Sequence, residues 1–319
     1  MQMTRLGRLA HEMREIRFLA DLRKYSPEEM IREYGAQTRR LFAAAAQTKR
    51  PIITVVPVHQ ERGDIAASLY SIARAGSIAI VASNNSTDGT QEIARAMGAE
   101  VVEANHGRKM GATQAGIEHA VLKYDAKRLL FTDADTLVPD TWARIMDGAL
   151  QGMDKGEGAM ACGDSLVWHG KEGADPGNRI AHVLYNLVVL RNALRRSFSR
   201  PPYGIARGHN YGLSLDRGGA VAAAIKALPA DRFVEPGKVA DDTLIAETLR
   251  ERQGTVVQGV LNVGAWVLTR GDRLTGTAAA LAVFMRLKDY DQATAAAYQR
   301  QFEAEVKPDL VSTRSAKDQ

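Results

Sequence analysis

The stretch that decides the fold reads Arg-Leu-Leu-Phe-Thr-Asp-Ala-Asp-Thr-Leu-Val-Pro and runs from Arg128 to Pro139. Residues 128–132 have the length and composition of a buried parallel β-strand, and Asp133 and Asp135 follow where that strand would end. Ligands of open parallel α/β sheets bind beyond the carboxyl ends of the strands. The stretch therefore predicts two carboxylates at the edge of a ligand-binding crevice.

The spacing of Asp133 and Asp135 indicates what the pair could bind. Successive residues of an extended backbone alternate sides, so both carboxylates lie on the same side. Two neighbouring anions are costly unless a cation or hydrogen bonds compensate, and a hard divalent ion carrying a diphosphate is a natural partner. The alternative is a solvated acidic turn, which is the better interpretation of so short a motif on its own. The rest of the chain has to decide between the two.

Apolar β-branched runs alternate with helical periodicities before this stretch. They predict strands at 52–58, 77–82 and 99–103, helices at 63–75 and 91–97, and a further helix that ends at Ala120. A strand, a crossover helix and a parallel strand form a right-handed unit. The alternation predicts an α/β fold with a mostly parallel, twisted, doubly wound sheet flanked by helices.

Residues 3–47 precede the first strand and are predicted to form two helices. The break lies at Ser26, which would cap the second helix, with Pro27 at its first position. Apolar residues recur at helical spacing in the first helix, and four arginines lie among them: Arg5, Arg8, Arg14 and Arg17. Packing on the core is the favoured interpretation. A basic amphipathic helix resting on an anionic membrane is the alternative.

Composition excludes several classes of protein. The 319 residues can form a substantial core, and 45% hydrophobic with 25% charged residues is typical of a soluble globular protein. A net charge of +5 fits anionic partners but is too small to indicate nucleic acid, and no Cys/His finger spacing is present. The single cysteine, Cys162, excludes an internal disulfide and suggests a reducing compartment. With no secretory signal or membrane-spanning run, we expect a cytoplasmic protein.

An ordered set of motifs covers residues 52–150. It comprises Val-Pro-Val-His-Gln-Glu at 56–61, Asn-Asn-Ser-Thr-Asp-Gly-Thr at 84–90, a loop with Gly and Lys at 107–111, and Asp-Ala-Asp at 133–135. This set resembles the nucleotide-binding half of family 2 glycosyltransferases, which have the GT-A fold. It is far more specific than any one of its parts.

Two later segments continue the resemblance. Residues 207–212, Arg-Gly-His-Asn-Tyr-Gly, resemble the acceptor-side loop of that family. Residues 239–245, Val-Ala-Asp-Asp-Thr-Leu-Ile, resemble its Glu-Asp motif, in which the Asp is the catalytic base. Asp241 stands where Glu is usual, and either carboxylate could act as the base.

The resemblance implies a donor site for a nucleoside-diphosphate sugar, with UDP favoured and GDP as an alternative. Mg²⁺ or Mn²⁺ would be held by Asp135 and Asp133. The implied nucleotide-binding residues are Pro57, His59, Glu61, Ser83, Asn84, Lys109, Asp133 and Ala134. Ser83 and Asn84 occupy the neighbourhood where the family usually has an Asp that contacts uracil, which leaves the choice of base open. Asp88 is expected to cap the following helix instead of contacting substrate.

The remaining assignments concern the acceptor and the reaction. We expect Asp242 to be the general base, with Asp241 capping a helix at 243–252 or taking that role itself. Gly208, His209 and Asn210 would face an acceptor hydroxyl, and Arg270 and Arg273, after a strand-like run at 265–268, would contact the diphosphate. The expected reaction is a single displacement with inversion. Alternatives are a retaining transferase, a nucleotidyltransferase-like enzyme, and a non-catalytic nucleotide- or carbohydrate-binding protein.

The acceptor could be lipid-linked, because residues 178–197 predict an apolar helix followed by arginines. A buried helix with a basic rim is favoured, and a helix at the inner face of a membrane is the alternative. No nucleic-acid partner is expected, and the oligomeric state is left open. We divide the chain into a helical extension (1–50), a GT-A domain (51–275, with its nucleotide half at 51–150 and its acceptor half at 151–275), and a C-terminal helical segment and tail (276–319).

Overall fold

A computed structural model describes most of the first two thirds of the chain and shorter parts beyond. The described ranges are 5–104, 109–153, 158–168, 209–215, 219–228, 256–260 and 263–270, with single positions between 182 and 193 and between 245 and 249. Four of the predicted site residues lie outside these ranges: Gly208, Asp241, Asp242 and Arg273.

Strands and helices alternate through the described part. The strands are β1 (Ile52–Val58), β2 (Ser77–Ser83), β3 (Glu100–Glu103), β4 (Arg128–Phe131), β5 (Thr136–Leu137), β6 (Ala159–Cys162), β7 (Ser165–Trp168), β8 (Tyr211–Ser214), β9 (Val256–Gly259) and β10 (Val267–Arg270). The helices are α1 (Arg5–Leu22), α2 (Pro27–Ala46), α3 (Ile65–Arg74), α4 (Thr90–Met97), α5 (Lys109–Tyr124), α6 (Trp142–Met153) and α7 (Ala220–Lys226).

The described strands form two sheets. The larger has the order β3-β2-β1-β4-β8-β6-β9, and the smaller has the order β5-β10-β7. β1 pairs in parallel with β2 and β4, and β2 pairs in parallel with β3, whereas β8 is antiparallel to both of its neighbours. The predicted α/β fold with a mostly parallel sheet flanked by helices is confirmed.

Hydrophobic layers cover both faces of the large sheet. Along β1, Ile53 and Val55 pack into the layer that contains α5 and α7, whereas Val56 and Val58 pack into the layer that contains α3, α4 and α6. Such alternation follows from the two-residue period of a strand. With both faces covered, the carboxyl ends of β1, β2 and β4 are left to form the ligand crevice.

The N-terminal helix pair packs on the second of these layers. Ser26 and Glu29 form a reciprocal capping box at the start of α2. The buried Glu15 carboxylate of α1 accepts two hydrogen bonds from Arg74 of α3, at 2.6 and 3.0 Å. Leu19 and Leu22 are buried as well. Core packing of α1, the favoured interpretation, is therefore confirmed for its described side chains.

Two other predictions about elements can be compared with the structure. The strand predicted at 265–268 begins later, because a 3₁₀ turn occupies Val263–Ala265 and β10 then runs to Arg270. The described residues between 182 and 193 are helical, with Val189 and Ala193 buried. Within the described part of the chain, none of the helices combines the length and the apolar character needed to cross a bilayer.

Candidate active site

The crevice lies where three parallel strands end side by side. Val58, the last residue of β1, is opposite Ser83, the last residue of β2, and Val55 is opposite Phe131, the last residue of β4. The loops that follow these strands carry Glu61, Asn84 and the Asp133–Asp135 turn. The shared register therefore brings the three predicted motifs to one edge of the sheet.

The Asp133–Asp135 turn is compact and partly buried. The Thr136 N–H donates to the Asp133 carbonyl at 3.1 Å, and Lys109 Nζ contacts Asp133 Oδ1 at 2.5 Å. Burial raises the pKa of Asp135, the neighbouring Asp133 carboxylate raises it further, and Arg23 opposes this shift. The two acids thus form a like-charge pair in which only Asp133 has a lysine ammonium in direct contact.

This carboxylate pair fits a divalent cation that a substrate helps to bind. In the described ranges no group of three or more His, Cys, Asp or Glu side chains is arranged to hold a metal by itself. Mg²⁺ needs no such group, because it binds through one or two carboxylates together with substrate phosphates and water. A cation beside Asp135 would also offset the repulsion that raises its pKa. Lys109, at the first turn of α5, adds positive charge at the position expected for a phosphate contact.

Glu61 lies in the loop after β1 and shares the electrostatic environment of the Asp pair. Burial raises its pKa to about 7, with further contributions from the carboxylates of Asp135 and Asp64, while Arg270 lowers it. Near neutral pH this side chain is therefore close to half-protonated. A carboxyl group in that state can either donate or accept a hydrogen bond.

The Asn84–Thr90 turn holds the Glu61 loop in place. The Glu61 N–H donates to Thr90 Oγ1 at 2.9 Å, and the Arg62 N–H donates to Asp88 Oδ2 at 2.9 Å. Asp88 Oδ1 accepts from the N–H of Thr90, the first residue of α4, at 3.0 Å. Gly89 and not Asp88 is the N-cap residue of α4, and the two carboxylate oxygens of Asp88 instead hold the turn before that helix and the loop that carries Glu61.

His59 and Asn84 join the same two loops at the entrance of the crevice. His59 Nδ1 is 2.7 Å from the Asn84 carbonyl oxygen, which requires a proton on Nδ1 and leaves Nε2 available. Asn84 is half-buried, and its backbone N–H donates to the Val58 carbonyl at 2.9 Å. Both residues therefore remain at a position from which a nucleotide could be contacted.

An ionic cluster behind the Asp pair was not found by sequence reasoning. Asp64 is the residue before α3. Its Oδ2 pairs with Arg270 of β10, and its Oδ1 lies 4.0 Å from Arg23 Nη1. Arg23 follows α1 and donates to the backbone carbonyls of Asp135 and Leu268, the latter at 3.2 Å. A sequence pattern does not reveal such charged residues, because their partners are distant in the chain and meet them only when the helices and strands pack together. Arg270 is paired with Asp64 in this structure, and its contact with a diphosphate stays a prediction.

Two predicted contact residues have other roles. Asn210 is fully buried: its Oδ1 accepts from Trp142 Nε1 at 2.8 Å, and its Nδ2 donates to the carbonyls of Asp164 and Ala265 at 2.6 and 2.9 Å. The prediction that Asn210 faces the acceptor is wrong, since its amide joins three segments of the core.

Ser83 requires a similar correction. Its side chain is fully buried, and its hydroxyl accepts a hydrogen bond from Gln91 Nε2 at 3.1 Å, so the predicted contact between this side chain and a nucleotide is wrong. Pro57 and Ala134 are buried too, and they present no polar side-chain atom. His209 is partly exposed, and its carbonyl accepts from Thr132 Oγ1 at 3.0 Å, which places it beside the end of β4.

Comparison with known proteins points to one family. Residues 53–200 match the family model described as Glycosyl transferase family 2. This region contains β1 through β7, the Glu61 loop, the Asn84–Thr90 turn and the Asp pair. No curated protein sequence matches the chain significantly.

Solved structures show weak overall similarity. The chain is 20% identical to glucosyl-3-phosphoglycerate synthase from Mycobacterium tuberculosis in complex with Mn²⁺, UDP and phosphoglyceric acid, with 78% of each chain covered and a TM-score of 0.42. It is 12% identical to S. aureus TarS residues 1–349, with 81% of this chain and 73% of that chain covered and a TM-score of 0.41. Similarity at this level does not identify a substrate.

Proposed function

We propose that this chain, a glycosyltransferase that belongs to glycosyl transferase family 2, moves a sugar from a nucleoside-diphosphate sugar to an acceptor hydroxyl with the help of a divalent cation. The observation that carries the proposal is the partly buried Asp133–Asp135 pair at the carboxyl end of β4, with Lys109 in contact with it. Residues 51–150 would bind the donor, 151–275 the acceptor, and residues 1–50 and 276–319 would be additions to this domain.

The donor half would bind the nucleotide through His59, Glu61 and Asn84 at the entrance and the diphosphate through Lys109 and Arg270. Asp133 and Asp135 would hold Mg²⁺ or Mn²⁺, which when bound takes up charge on the leaving diphosphate. Arg270 would have to exchange Asp64 for a phosphate oxygen, a partner with which a guanidinium forms strong paired hydrogen bonds. UDP is favoured and GDP is the alternative, because an asparagine amide at position 84 can pair with the edge of more than one base.

The acceptor half would supply the general base. Asp242 would take the proton of the acceptor hydroxyl as its oxygen attacks the anomeric carbon and the bond to the diphosphate breaks, which inverts the configuration. Asp241 would cap the helix that follows. Four residues of this helix are described, and all are helical and buried: Ile245, Ala246, Thr248 and Leu249. They support an ordered helix after the two acids. Gly208 and His209 would line the acceptor side.

Turnover of sugar nucleotides tests the proposal. UDP- and GDP-sugars are incubated with Mn²⁺ or Mg²⁺, and released nucleotide and product anomer are followed by NMR. Asp135→Asn should lower metal-dependent turnover by on the order of 100-fold or more, because the charge on the leaving group is no longer offset. Asp125→Asn is the matched control, since Asp125 is an exposed acid paired with Lys127 far from the crevice.

The same experiment separates the alternatives. Transfer of the nucleotide instead of the sugar would identify a nucleotidyltransferase, retention at the anomeric carbon would exclude Asp242 as the base of a single displacement, and nucleotide binding without turnover would identify a binding protein. Equal turnover by the Asp135→Asn variant and the wild type would contradict the metal site.

We also propose peripheral attachment to the inner face of the membrane, where a lipid-linked acceptor would be reached. Three side chains on one side of the helix at 182–193 support it: Val183, Leu187 and Leu190 are 59, 55 and 55% exposed, respectively. Flotation with anionic liposomes at low salt should carry the protein upward, and Leu187→Gln with Leu190→Gln should reduce this. Failure of the wild type to float would reject the attachment.

A further inference from the structure

Arg23 belongs to the N-terminal helix pair and reaches the back of the proposed metal site. It follows Leu22, the last residue of α1, and lies outside the region that matches the family model, residues 53–200. Its side chain is only 5% exposed. A guanidinium cannot lose its charge at ordinary pH, so burial of Arg23 indicates a site that needs a permanent cation or its fixed donors.

The hydrogen bonds of Arg23 join the acidic turn to the small sheet. In the small sheet Leu268 of β10 is opposite Leu137 of β5, and Thr269 is opposite Thr136. The next position along β5 is Asp135, where the ladder ends and the acidic turn begins. Arg23 Nη2 donates to the Asp135 carbonyl and to the Leu268 carbonyl, so one guanidinium nitrogen joins the residue that precedes β5 to strand β10.

The charge of Arg23 acts on the same turn. Arg23 Nη1 lies 4.0 Å from Oδ1 of Asp64, and Asp64 is the partner of Arg270. The hydrogen bond to the Asp135 carbonyl fixes the backbone that carries this proposed metal ligand, and the guanidinium adds a permanent positive charge next to the acidic turn.

We infer that Arg23 is a positioning residue for the metal-diphosphate site, held there by the N-terminal helix pair. This inference rests on the proposed function. Residues outside the ligand shell that orient a metal ligand commonly affect metal affinity by 10- to 100-fold. Lysine can replace the charge of Arg23, but its side chain is shorter and ends in an ammonium instead of a planar guanidinium, so it can restore only part of the effect. The helical extension then contributes a residue to the donor site in addition to packing on the core.

The test measures how much Mn²⁺ strengthens the binding of UDP, by calorimetry of the full chain with and without the metal. We expect Arg23→Met to lower this enhancement by about 10-fold or more, while metal-free UDP affinity stays within roughly 3-fold. Arg23→Lys should fall between Arg23→Met and the wild type. Arg128→Met is the matched control: it removes a partly buried arginine that pairs with Asp147 at the opposite end of β4 and that neither holds α1 nor contacts the turn. It should destabilise the protein and leave the Mn²⁺ enhancement unchanged.

Several outcomes would overturn the inference. An unchanged enhancement in Arg23→Met, or in Arg23→Lys if the methionine variant does not fold, would show that Arg23 does not position the site. Equal losses in Arg23→Met and Arg128→Met would assign Arg23 to general stability. Asp135→Asn is measured beside them, because it must abolish the enhancement if the proposed metal site exists. If it does not, the proposed function fails and not only the role of Arg23.

Discussion

At the scale of single residues, Asn210 and Arg23 differ most from what their sequence context suggests. Asn210 stands in a glycine-containing loop motif that suggests contact with an acceptor, yet its amide is used entirely within the core. Gly163 packs directly against it, because a Cβ at position 163 would lie 2.3 Å from Asn210 Nδ2. Arg23 shows the reverse: this arginine belongs to no recognised motif, yet it contacts the turn that carries Asp133 and Asp135.

Glu61 provides a prediction at this scale, because its pKa is raised from 4.5 to about 7 in the folded protein. Between these two values the folded state binds a proton that the unfolded state has lost, so the free energy of unfolding falls as pH rises through this window and levels off above it. Glu61→Gln removes this pH-dependent decrease in the free energy of unfolding. In metal-free buffer with EDTA we expect the variant to have a higher Tm than the wild type at pH 8, with a much smaller difference at pH 5.

Scanning calorimetry at both pH values checks the Glu61 prediction. Glu103→Gln serves as the control, since Glu103 is an exposed acid on β3 and its substitution should give no pH-dependent difference. A Tm difference for Glu61→Gln that is the same at pH 5 and pH 8 would contradict the raised pKa.

At the scale of elements, the N-terminal helix pair is joined to the sheet by a few specific contacts. The Ser26 capping box begins α2, the Glu15–Arg74 pair joins α1 to α3, and the side chain of Arg74 lies over the Phe18 ring at 4.4 Å from its centroid. These contacts fix the direction in which α1 ends. Since Arg23 follows that end directly, the docking of α1 decides whether its guanidinium can reach Asp135.

Removal of the α1–α3 ion pair should therefore be costly. Glu15→Ala leaves the Arg74 charge partly buried without its carboxylate, and we expect a loss of about 3 kcal/mol in the free energy of unfolding. Urea denaturation measures it. Asp21 lies on the same helix as Glu15, and Asp21→Ala, which removes the exposed partner of Lys24, should leave stability nearly unchanged. Similar small losses for both variants would mean that the Glu15–Arg74 pair does not anchor α1.

At the scale of the whole molecule, donor binding should stabilise the fold through mass action. A ligand at 100 times its Kd adds about 2.7 kcal/mol to the free energy of unfolding, which for a domain of this size corresponds to roughly 5 °C in Tm. We expect UDP or GDP with Mn²⁺ to produce such a shift, and the better of the two nucleotides to identify the base.

A thermal-shift panel of nucleoside diphosphates, each with and without Mn²⁺, makes this measurement. Mn²⁺ alone should have little effect, because two carboxylates without phosphate form an incomplete site. Asp135→Asn should lose the metal-dependent part of the shift. A panel in which no nucleotide raises Tm would contradict a preformed donor site.

The sequence by itself determined the alternation of strands and helices, the position of the Asp pair after β4, and the capping role of Ser26. Each of these depends on residues close together in the chain, where the two-residue period of strands and the hydrogen bonding of caps act directly. The family resemblance rests on the same local motifs, and the match to residues 53–200 agrees with it.

Only the tertiary structure decided which distant side chains meet. Arg23 and Asp135 are 112 residues apart, and Asp64 and Arg270 are 206 apart. Their contacts depend on the docking of α1 and on the register of β5 against β10, which no local pattern encodes. The same packing turned the amide of Asn210 inward, because a buried junction of three segments has carbonyl groups that must be hydrogen-bonded.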